Sequence, residues 1–296
     1  MAGMNTRFFK RLISNRTKRL NRSKSGDLIL IFIIVAFGLF STLPMVMAIN
    51  QAFKPLNELF LYPPRIFVRN PTLSNFKQLF SLMMSSMVPF SRYIFNTVFI
   101  TAAGTFGHVI VASLAAYPLA KLKAPGSAVL FGLVTVSLMF HATVGDVANY
   151  ITMSFLGWTD TYLAIIIPAL AGSLGLYIMR QFMVTIPDSL IESSRIEGAS
   201  EYRIFWKVIM PNVKPGWITL SIFQLQALWN STHSTFIYSE ELKTLPYALS
   251  QIVTGGIIRA GPGAAVGVIM MIVPITFFIF SQSKIIETMA TSGMKE

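Results

Sequence analysis

The chain contains few residue patterns that could carry out covalent chemistry. It has no Gly-Lys dipeptide and therefore lacks the loop that cradles ATP phosphates in P-loop proteins. The HExxH and GxSxG patterns, which would favour a zinc or serine hydrolase, do not occur either. Three histidines and no cysteines offer little for a metal centre. We therefore expect that this chain is not an enzyme and that it has no catalytic residue, bound cofactor or metal.

The sequence also permits hydrogen bonding to a polyhydroxyl solute, because polar residues interrupt several apolar runs. Asn230 and His233 are three residues apart and would share one helical face within the polar run 230–235. Hydroxyl, amide and imidazole groups of this kind bind sugars. We predict a solute pathway at Asn230, Thr232, His233, Asp146 and His141.

A structural role for the same residues is the alternative. An ionisable group in hydrocarbon is costly, so Asp146 could lie at the membrane interface or face water. Histidines 108, 141 and 233 each fall in a predicted span, where a neutral imidazole could hydrogen-bond between helices.

The segment 187–211 has a different character, because it is charged and lies between two apolar runs. Pro187 suits a first helical turn, and Asp188 suits the positive end of that turn. Gly198 is predicted to separate two short amphipathic helices, since glycine turns sharply at little steric cost. Pro211 is predicted to stop the second helix. A partner protein could cover their apolar residues, which are Leu190, Ile191, Ile196, Tyr202, Phe205, Trp206 and Ile209.

These polar features belong to a chain that is 53% hydrophobic and 12% charged, the composition of a polytopic membrane protein. Six runs are long enough to cross about 30 Å of hydrocarbon. They are 28–49, 93–120, 127–150, 161–179, 215–239 and 262–283.

A short surface helix with Thr72 or Ser74 as its cap is predicted near 72–80. Gly104 and Gly107 favour close helix contact, and Gly255-Gly256 favours a loop turn.

The basic residues indicate the orientation of these spans. Residues 1–24 carry eight lysines and arginines and no acidic residue. With the N-terminus inside, 17 of the 24 basic residues are cytoplasmic and 7 are outside. We therefore predict a basic cytoplasmic tail at 1–26, one transmembrane domain at 27–283 with a cytoplasmic loop at 183–214, and a cytoplasmic tail at 284–296.

The spacing within that loop resembles a known signature. Glu192-Ser193-Ser194, then Gly198, then 208–211 resemble the EAA loop of permease subunits of bacterial ABC importers. That pattern reads Glu-Ala-Ala, three residues, Gly, nine residues, Ile-x-Leu-Pro; here serine replaces both alanines, Val208 replaces Ile and Met210 replaces Leu. The resemblance implies ATPase-coupling roles for Glu192, Ser193, Ser194, Gly198, Ala199, Val208, Met210 and Pro211.

Further stretches are similar to the carbohydrate branch of that family, namely 159–170, 179–182, Trp229-Asn230, Asn96-Thr97 and 281–296. The resemblance implies a maltose-importer-like, all-α membrane fold with six transmembrane helices and a cytoplasmic pair of EAA-type coupling helices. It implies a bacterial cytoplasmic (inner) membrane location, with ATP and Mg bound in separate ATPase subunits. The implied partners are a homologous second permease, two ATPase subunits, an extracytoplasmic solute-binding protein, an oligosaccharide and membrane lipid, without nucleic acid. The chain departs from the branch at 231–235, where an acidic residue and bulky aromatics are common.

The sequence thus predicts an ABC importer permease that moves an oligosaccharide by alternating access. An acidic sugar, such as an alginate or pectin fragment, is one option, because the predicted outer segments hold 7 basic residues against four acidic ones. A secondary transporter or channel is an alternative, but it predicts inverted repeats and paired intramembrane charges that the sequence does not clearly show. A non-transport membrane scaffold would leave the EAA spacing unexplained.

Overall fold

The computed structural model describes residues 24–84, 88–122, 124–140, 143–256 and 259–292. The predicted pathway residue His141, the tail up to residue 23 and residues 293–296 lie outside these ranges. Helices and the turns between them make up the described residues. The helices are α1 Lys24–Phe53, α2 Leu56–Leu59, α3 Ser74–Met84, α4 Phe90–Ala120, α5 Ser127–Ser137, α6 Thr143–Phe155, α7 Leu163–Leu170, α8 Ser173–Val184, α9 Asp188–Ile196, α10 Glu201–Ile204, α11 Met210–Asn212, α12 Lys214–Asn230, α13 Leu245–Val253 and α14 Ala260–Ser292.

Four helical stretches in the described residues are long and apolar enough to cross a membrane. They are Gly26–Phe53, Phe90–Ala120, Leu163–Val184 and Ala260–Gln282. Each coincides with one of the six runs predicted from the sequence. Most apolar side chains of α1 are exposed in the isolated chain.

The predicted run 127–150 is not one continuous helix. It is divided between α5 and α6. Helix α5 ends where the Ser137 hydroxyl donates to the carbonyl of Val134 at 2.7 Å and lies 2.7 Å from the Ser173 hydroxyl. A hydroxyl that bonds the preceding turn competes with the regular helical pattern. The break at the end of α5 therefore lies beside Ser173, the first residue of α8.

The predicted run 215–239 is also wrong in its second half, since α12 ends at Asn230. Ser231 is extended, and His233 has a left-handed backbone with φ of 54°. The Ser231 hydroxyl accepts from the backbone N–H of His233 at 3.4 Å, a local bond that replaces a helical one. Residues 231–239 consequently form a folded connection rather than the end of a span.

Helix α4 is the centre of the fold and packs against α7, α8 and α12. Its glycines allow this close approach, as predicted. A β-carbon on Gly104 would lie 2.6 Å from Leu228 Cδ1, and one on Gly107 would lie 2.6 Å from Leu170 Cδ2. The predicted turn at Gly255-Gly256 is also present, with φ of 74° at Gly256.

The helix predicted near 72–80 is present as α3, a surface helix that buries one face. Helix α3 begins at Ser74, whose backbone N–H donates to the Thr72 hydroxyl at 3.0 Å. Asn75, Leu79 and Met83 are buried, because α3 packs against α14. The Asn75 amide donates to the carbonyls of Ala52 and Lys54 at 2.9 and 2.8 Å. The segment between α1 and α4 therefore folds back onto the helices.

Candidate functional site

Two regions contain the predicted site residues, and the first is the helix-pair segment 187–211. Helix α9 begins at Asp188, one residue later than predicted, since Pro187 is extended with ψ of 135°. Gly198 has φ of 80°, the left-handed conformation that glycine adopts without steric cost. Ser200 then caps α10, because its hydroxyl accepts from the backbone N–H of Arg203 at 3.4 Å. The predicted helix–Gly–helix order is present.

Pro211 does not stop the second helix. Helix α10 continues into a π-helical turn, Phe205–Ile209, and then into α11, which contains Pro211. The backbone N–H of Met210 bonds to the carbonyl of Phe205, one residue further back than in an α-helix. Such a wide turn is one way in which a helix accommodates a residue that lacks an N–H. The chain reorients later, at Val213, before α12 begins.

The apolar residues of the helix-pair segment divide into two sets. Ile191, Phe205 and Ile209 are buried in a loop-side cluster with residues of α4, α8 and α12. This cluster comprises Val109, Ala112, Ala116, Tyr117, Met179, Met183, Ile186, Ile191, Ile204, Phe205, Ile209, Val213 and Leu220. Full burial of one such side chain contributes roughly 1.5–3 kcal/mol. The segment is therefore firmly attached to its own chain.

The second set faces away from the protein. The exposed fractions are 88% for Ile196, 74% for Tyr202 and 36% for Trp206. The Tyr202 and Trp206 rings lie edge to face with centroids 6.2 Å apart. We call Ile196, Tyr202 and Trp206 the exposed apolar face. The sequence predicted one apolar surface for a partner, whereas the structure assigns only these residues and part of Leu190 to the outside.

The remaining predicted coupling residues take supporting positions. The hydroxyls of Ser193 and Ser194 donate to the carbonyl of Leu190 at 3.1 and 2.8 Å. Three further residues pack against the loop-side cluster while partly buried, namely Ala199, Val208 and Met210. These side chains shape the segment, and Glu192 is exposed on its surface.

The spacing of Glu192 and Arg195 allows an ion pair within α9, and a cation of a partner protein is the alternative for Glu192. In the structure, Arg195 Nε instead donates to Glu201 Oε1 at 2.7 Å. The left-handed turn at Gly198 brings the start of α10 back beside the end of α9, which explains this choice. Glu201 Oε2 also accepts from the Tyr117 hydroxyl at 2.6 Å. The hydrogen bonds from Arg195 and then from Tyr117 hold the pKa of the Glu201 carboxyl below its usual range.

A second contact joins the helix-pair segment to the end of α4. Lys121 Nζ lies 2.7 Å from Asp188 Oδ1 and also donates to the carbonyl of Ile186. Sequence reasoning missed Tyr117, Lys121 and Glu201 as parts of this site. Tyr117 and Lys121 are four residues apart and hence on one helical face, a signal that could have identified them. Nothing local indicates their partners, which lie 84 and 67 residues further along the chain.

The second region contains the predicted solute pathway, which the structure brings together only in part. Asn230 ends α12 and is exposed, whereas His233 lies in the following turn and is partly buried. They do not share a helical face, because the helix has ended between them. Thr232 is partly buried in the same connection. Asp146 is exposed in the first turn of α6.

Asp146 meets the predicted polar run at a cleft of about 450 Å³ between α6 and the connection 231–239. We call it the tyrosine cleft, and its lining residues are Asp146, Val147, Tyr150, Ser234, Thr235 and Tyr238. The hydroxyl oxygens of Tyr150 and Tyr238 are 3.3 Å apart. Sequence reasoning missed both tyrosines, although Tyr150 lies one turn after Asp146 on α6.

Asp160 fixes the connection that forms one wall of this cleft. Its Oδ1 accepts from the backbone N–H groups of Tyr238 and Ser239, both at 2.9 Å, and the Ser239 hydroxyl donates to its Oδ2. Its own backbone N–H donates to the carbonyl of Phe236 at 2.8 Å. Asp160 has a left-handed backbone with φ of 59°, which aspartate tolerates better than most residues.

Asn96 of α4 holds the residues that follow this connection. Its amide donates to the carbonyls of Glu241 and Lys243 at 2.8 and 2.9 Å, and its oxygen accepts from the Tyr162 hydroxyl at 2.7 Å. The neighbouring Thr97 hydroxyl accepts from the backbone N–H of Leu245 at 2.7 Å. The Asn96-Thr97 pair therefore anchors residues 241–245 to the central helix.

Comparison with known proteins identifies relatives along most of the chain. Residues 67–289 match the family described as binding-protein-dependent transport system inner membrane component. The protein LplC of Bacillus subtilis strain 168 is 30% identical over 230 residues, which cover 77% of this chain and 76% of LplC. The polygalacturonan/rhamnogalacturonan transport system permease protein YtcP of the same strain is 28% identical over 229 residues, or 76% of each chain. The arabinooligosaccharides transport system permease protein AraQ of Halalkalibacterium halodurans is 27% identical over 278 residues, covering 89% of this chain and 94% of AraQ.

Solved structures share the fold. A chain in the crystal structure of a bacterial ABC transporter involved in the import of the acidic polysaccharide alginate matches with a TM-score of 0.71 at 20% identity. The match covers 89% of this chain and 98% of that chain. A chain of a bacterial alginate ABC transporter in complex with an alginate pentasaccharide-bound periplasmic protein matches with a TM-score of 0.58 at 14% identity, covering 86% and 91%.

Proposed function

The chain belongs to the family of binding-protein-dependent transport system inner membrane components, and on that basis we propose that it is the permease subunit of an ATP-driven oligosaccharide importer. Relatives named for arabinooligosaccharide and polygalacturonan transport support the solute class. The complete importer would contain a homologous second permease, two ATPase subunits and an external solute-binding protein. The alginate transporter in complex with its periplasmic protein supports the last of these partners.

The proposed membrane arrangement has six crossings. In addition to the four long apolar stretches, α5 with α6 would form one crossing and α12 another. Both termini would then be cytoplasmic, which the excess of lysine and arginine on that side supports. The domain is proposed to span 27–283, between the basic tail 1–26 and the tail 284–296, in the bacterial inner membrane. The helix-pair segment would lie in the cytoplasm.

The observation that carries the ATPase-coupling role is the exposed apolar face of Ile196, Tyr202 and Trp206. It lies on a charged segment outside the four long apolar stretches, so lipid does not explain its exposure. Exposed apolar clusters with a polar rim are typical of protein interaction sites. Glu192 lies exposed near this face, and Arg195 is engaged by Glu201. Glu192 is therefore available to a basic residue of the ATPase.

The attachment of the segment explains how docking would act on the membrane helices. Its buried side chains pack against α4, α8 and α12, and Tyr117 and Lys121 bond directly to its two helices. A displacement of the docked segment would therefore be transmitted to α4 as a nearly rigid movement. Closure of the ATPase dimer would bias the spans between inward-facing and outward-facing states, which is alternating access.

Replacement of Gly198 tests this function. No atom lies within 4 Å of the position of a β-carbon at Gly198, so only its left-handed backbone restricts the side chain. Left-handed backbone costs most residues roughly 1–2 kcal/mol and is tolerated best by asparagine. We expect Gly198→Val to insert normally but to lose most ATPase capture and solute uptake. Gly198→Asn, the matched control, should retain most of both.

The measurement is pull-down of the ATPase together with oligosaccharide uptake, at matched membrane levels of the permease. Uptake by Gly198→Val at the wild-type rate would show that the segment does not couple transport to ATP hydrolysis. Equal loss in both variants would mean that the side chain, rather than the backbone conformation, matters.

A further inference from the structure

The tyrosine cleft has the composition of a sugar site. Its volume of about 450 Å³ lies within the usual range of small-ligand sites, roughly 300–1,000 Å³. Tyr150 and Tyr238 contribute rings with hydroxyl handles, while Ser234 and Thr235 add two further hydroxyls. An aromatic ring offers a broad apolar face against which the C–H face of a sugar ring can pack.

The cleft is built from elements that are held in place. Its two walls come from α6 and from the connection 231–239, which Asp160 binds through the backbone N–H groups of Tyr238 and Ser239. The Tyr238 hydroxyl donates to the carbonyl of Thr235 at 2.8 Å, so this side chain is fixed across its own loop. A side chain that is already fixed loses little conformational freedom when a ligand binds, which favours binding.

The charge of the cleft distinguishes between two classes of sugar. Asp146 is exposed within the cleft, and no side chain of the described residues hydrogen-bonds to its carboxylate. A second carboxylate, Asp160, accepts from the backbone N–H of Tyr238 and does not line the cleft. Among the described residues, the lining contains no lysine or arginine. A carboxylate accepts hydrogen bonds from neighbouring sugar hydroxyls, but it repels the carboxylate of a uronic acid.

We propose that the tyrosine cleft is a contact site for neutral oligosaccharides in this chain, with Asp146 disfavouring uronic acids. This inference rests on the proposed transport function and refines its substrate class. In charge, the inferred solute resembles the arabino-oligosaccharides named for AraQ. It differs from the acidic polymers named for YtcP and the alginate transporter. The count of basic residues in the predicted outer segments favoured an acidic sugar. None of those basic residues lines this cleft, so the count does not describe the charge of the cleft.

The experiment measures sugar binding to the assembled permease–ATPase complex in nanodiscs without the solute-binding protein, so that the selectivity of that protein does not interfere. Arabinotriose is the neutral probe and trigalacturonate the acidic one, both followed by saturation-transfer NMR titration. We expect the wild type to bind arabinotriose more tightly. Asp146→Asn should raise the affinity for trigalacturonate relative to arabinotriose about fivefold, the size of one unit-charge contact through water.

Two further variants identify the cleft as the place of binding. Tyr238→Ala should weaken arabinotriose binding about tenfold, the order expected for loss of one aromatic contact with the sugar. Glu241→Gln is the matched control, because it also removes a carboxylate charge, two residues beyond the connection 231–239, but lies outside the cleft. It should leave the affinity ratio unchanged.

Three results would overturn the proposal: tighter wild-type binding of trigalacturonate, an affinity ratio unaffected by Asp146→Asn, or no binding of either probe. Hydrolysis of ATP stimulated by the solute-binding protein is recorded on the same nanodiscs. If stimulated hydrolysis is observed together with any of these three results, the cleft is not the sugar site, but the transport function stands. If the wild type shows no stimulated hydrolysis, the transport function itself is rejected.

Discussion

At the scale of single residues, the bonds of Glu201 determine how the helix-pair segment is joined to the membrane helices. One carboxylate oxygen accepts from Arg195 within the segment, and the other accepts from Tyr117 at the end of α4. The Tyr117 ring also packs against Phe205, with centroids 5.6 Å apart. Glu201 thus connects both helices of the segment to one position on the central helix.

Tyr117→Phe would remove the hydroxyl and keep the ring. A hydrogen bond to a charged group contributes about 1.5–3 kcal/mol, less where the group is exposed, as Glu201 is. We expect normal insertion and normal ATPase capture, but severalfold less solute transported per ATP hydrolysed. Proteoliposomes give both rates. Tyr62→Phe, at a tyrosine that is 92% exposed, controls for the loss of a hydroxyl. An unchanged ratio of transport to hydrolysis would exclude this bond from coupling.

The pH dependence of that effect follows from the lowered pKa of Glu201. A carboxylate whose pKa is lower in the folded state stabilises the fold above its ordinary pKa, and this contribution is lost as pH falls through the lowered value. The Tyr117→Phe defect should therefore be constant from about pH 6 to 8, where Glu201 stays ionised. A defect that changes across this range would require a different titrating group.

At the scale of helices, the interruption between α7 and α8 depends on His108 of α4. Its Nδ1 donates to the carbonyl of Leu170 at 3.0 Å, satisfying a group at the end of α7. Gly172 and Gly175 leave space for the imidazole ring, since a β-carbon at either position would overlap it. This is the structural role that the sequence offered as an alternative for the histidines.

Gly175→Ala should consequently destabilise the packing of α8 on α4. The ring is rigid, and overpacking of this kind costs typically 1–3 kcal/mol. We expect a lower melting temperature in detergent, measured by fluorescence-detected size exclusion. Gly107→Ala is the control, because its nearest atom is the tip of the flexible Leu170 side chain.

His108→Ala combined with Gly175→Ala should recover part of the lost stability, since the overlapping ring is then absent. Equal melting temperatures for Gly175→Ala and the wild type would show that α8 can shift without cost.

At the scale of the whole molecule, the proposed topology places the helix-pair segment and the end of α14 on one side of the membrane. Single cysteines can be introduced freely, because the chain has none. Cysteines at Glu197 and at Ser292 should not react with a membrane-impermeant maleimide applied to intact cells. A cysteine at Tyr62, which is highly exposed, should react.

Lysis should make the Glu197 and Ser292 positions reactive, which shows that both are accessible once the membrane is open. Labelling of either position in intact cells would reverse the orientation and place the exposed apolar face outside the cell.

The sequence alone determined those features that depend on one local segment. Hydropathy identified the four long apolar stretches, because a membrane span needs only enough consecutive apolar residues. The turn at Gly198 was predictable, because left-handed backbone favours glycine whatever surrounds it. The close approach at Gly104 and Gly107 followed from the lack of a side chain.

Only the tertiary structure decided which residues meet across long sequence distances. Arg195 pairs with Glu201 rather than Glu192 because the turn at Gly198 folds α10 back, and no spacing rule for a single helix contains that geometry. Asp146 and Tyr238 belong to one cleft because Asp160 holds a connection that hydropathy had assigned to a spanning helix. Helix α12 ends early because the Ser231 hydroxyl accepts from the backbone N–H of His233. Whether a serine hydroxyl replaces a helical hydrogen bond in this way depends on the surrounding packing, which amino-acid composition does not reveal.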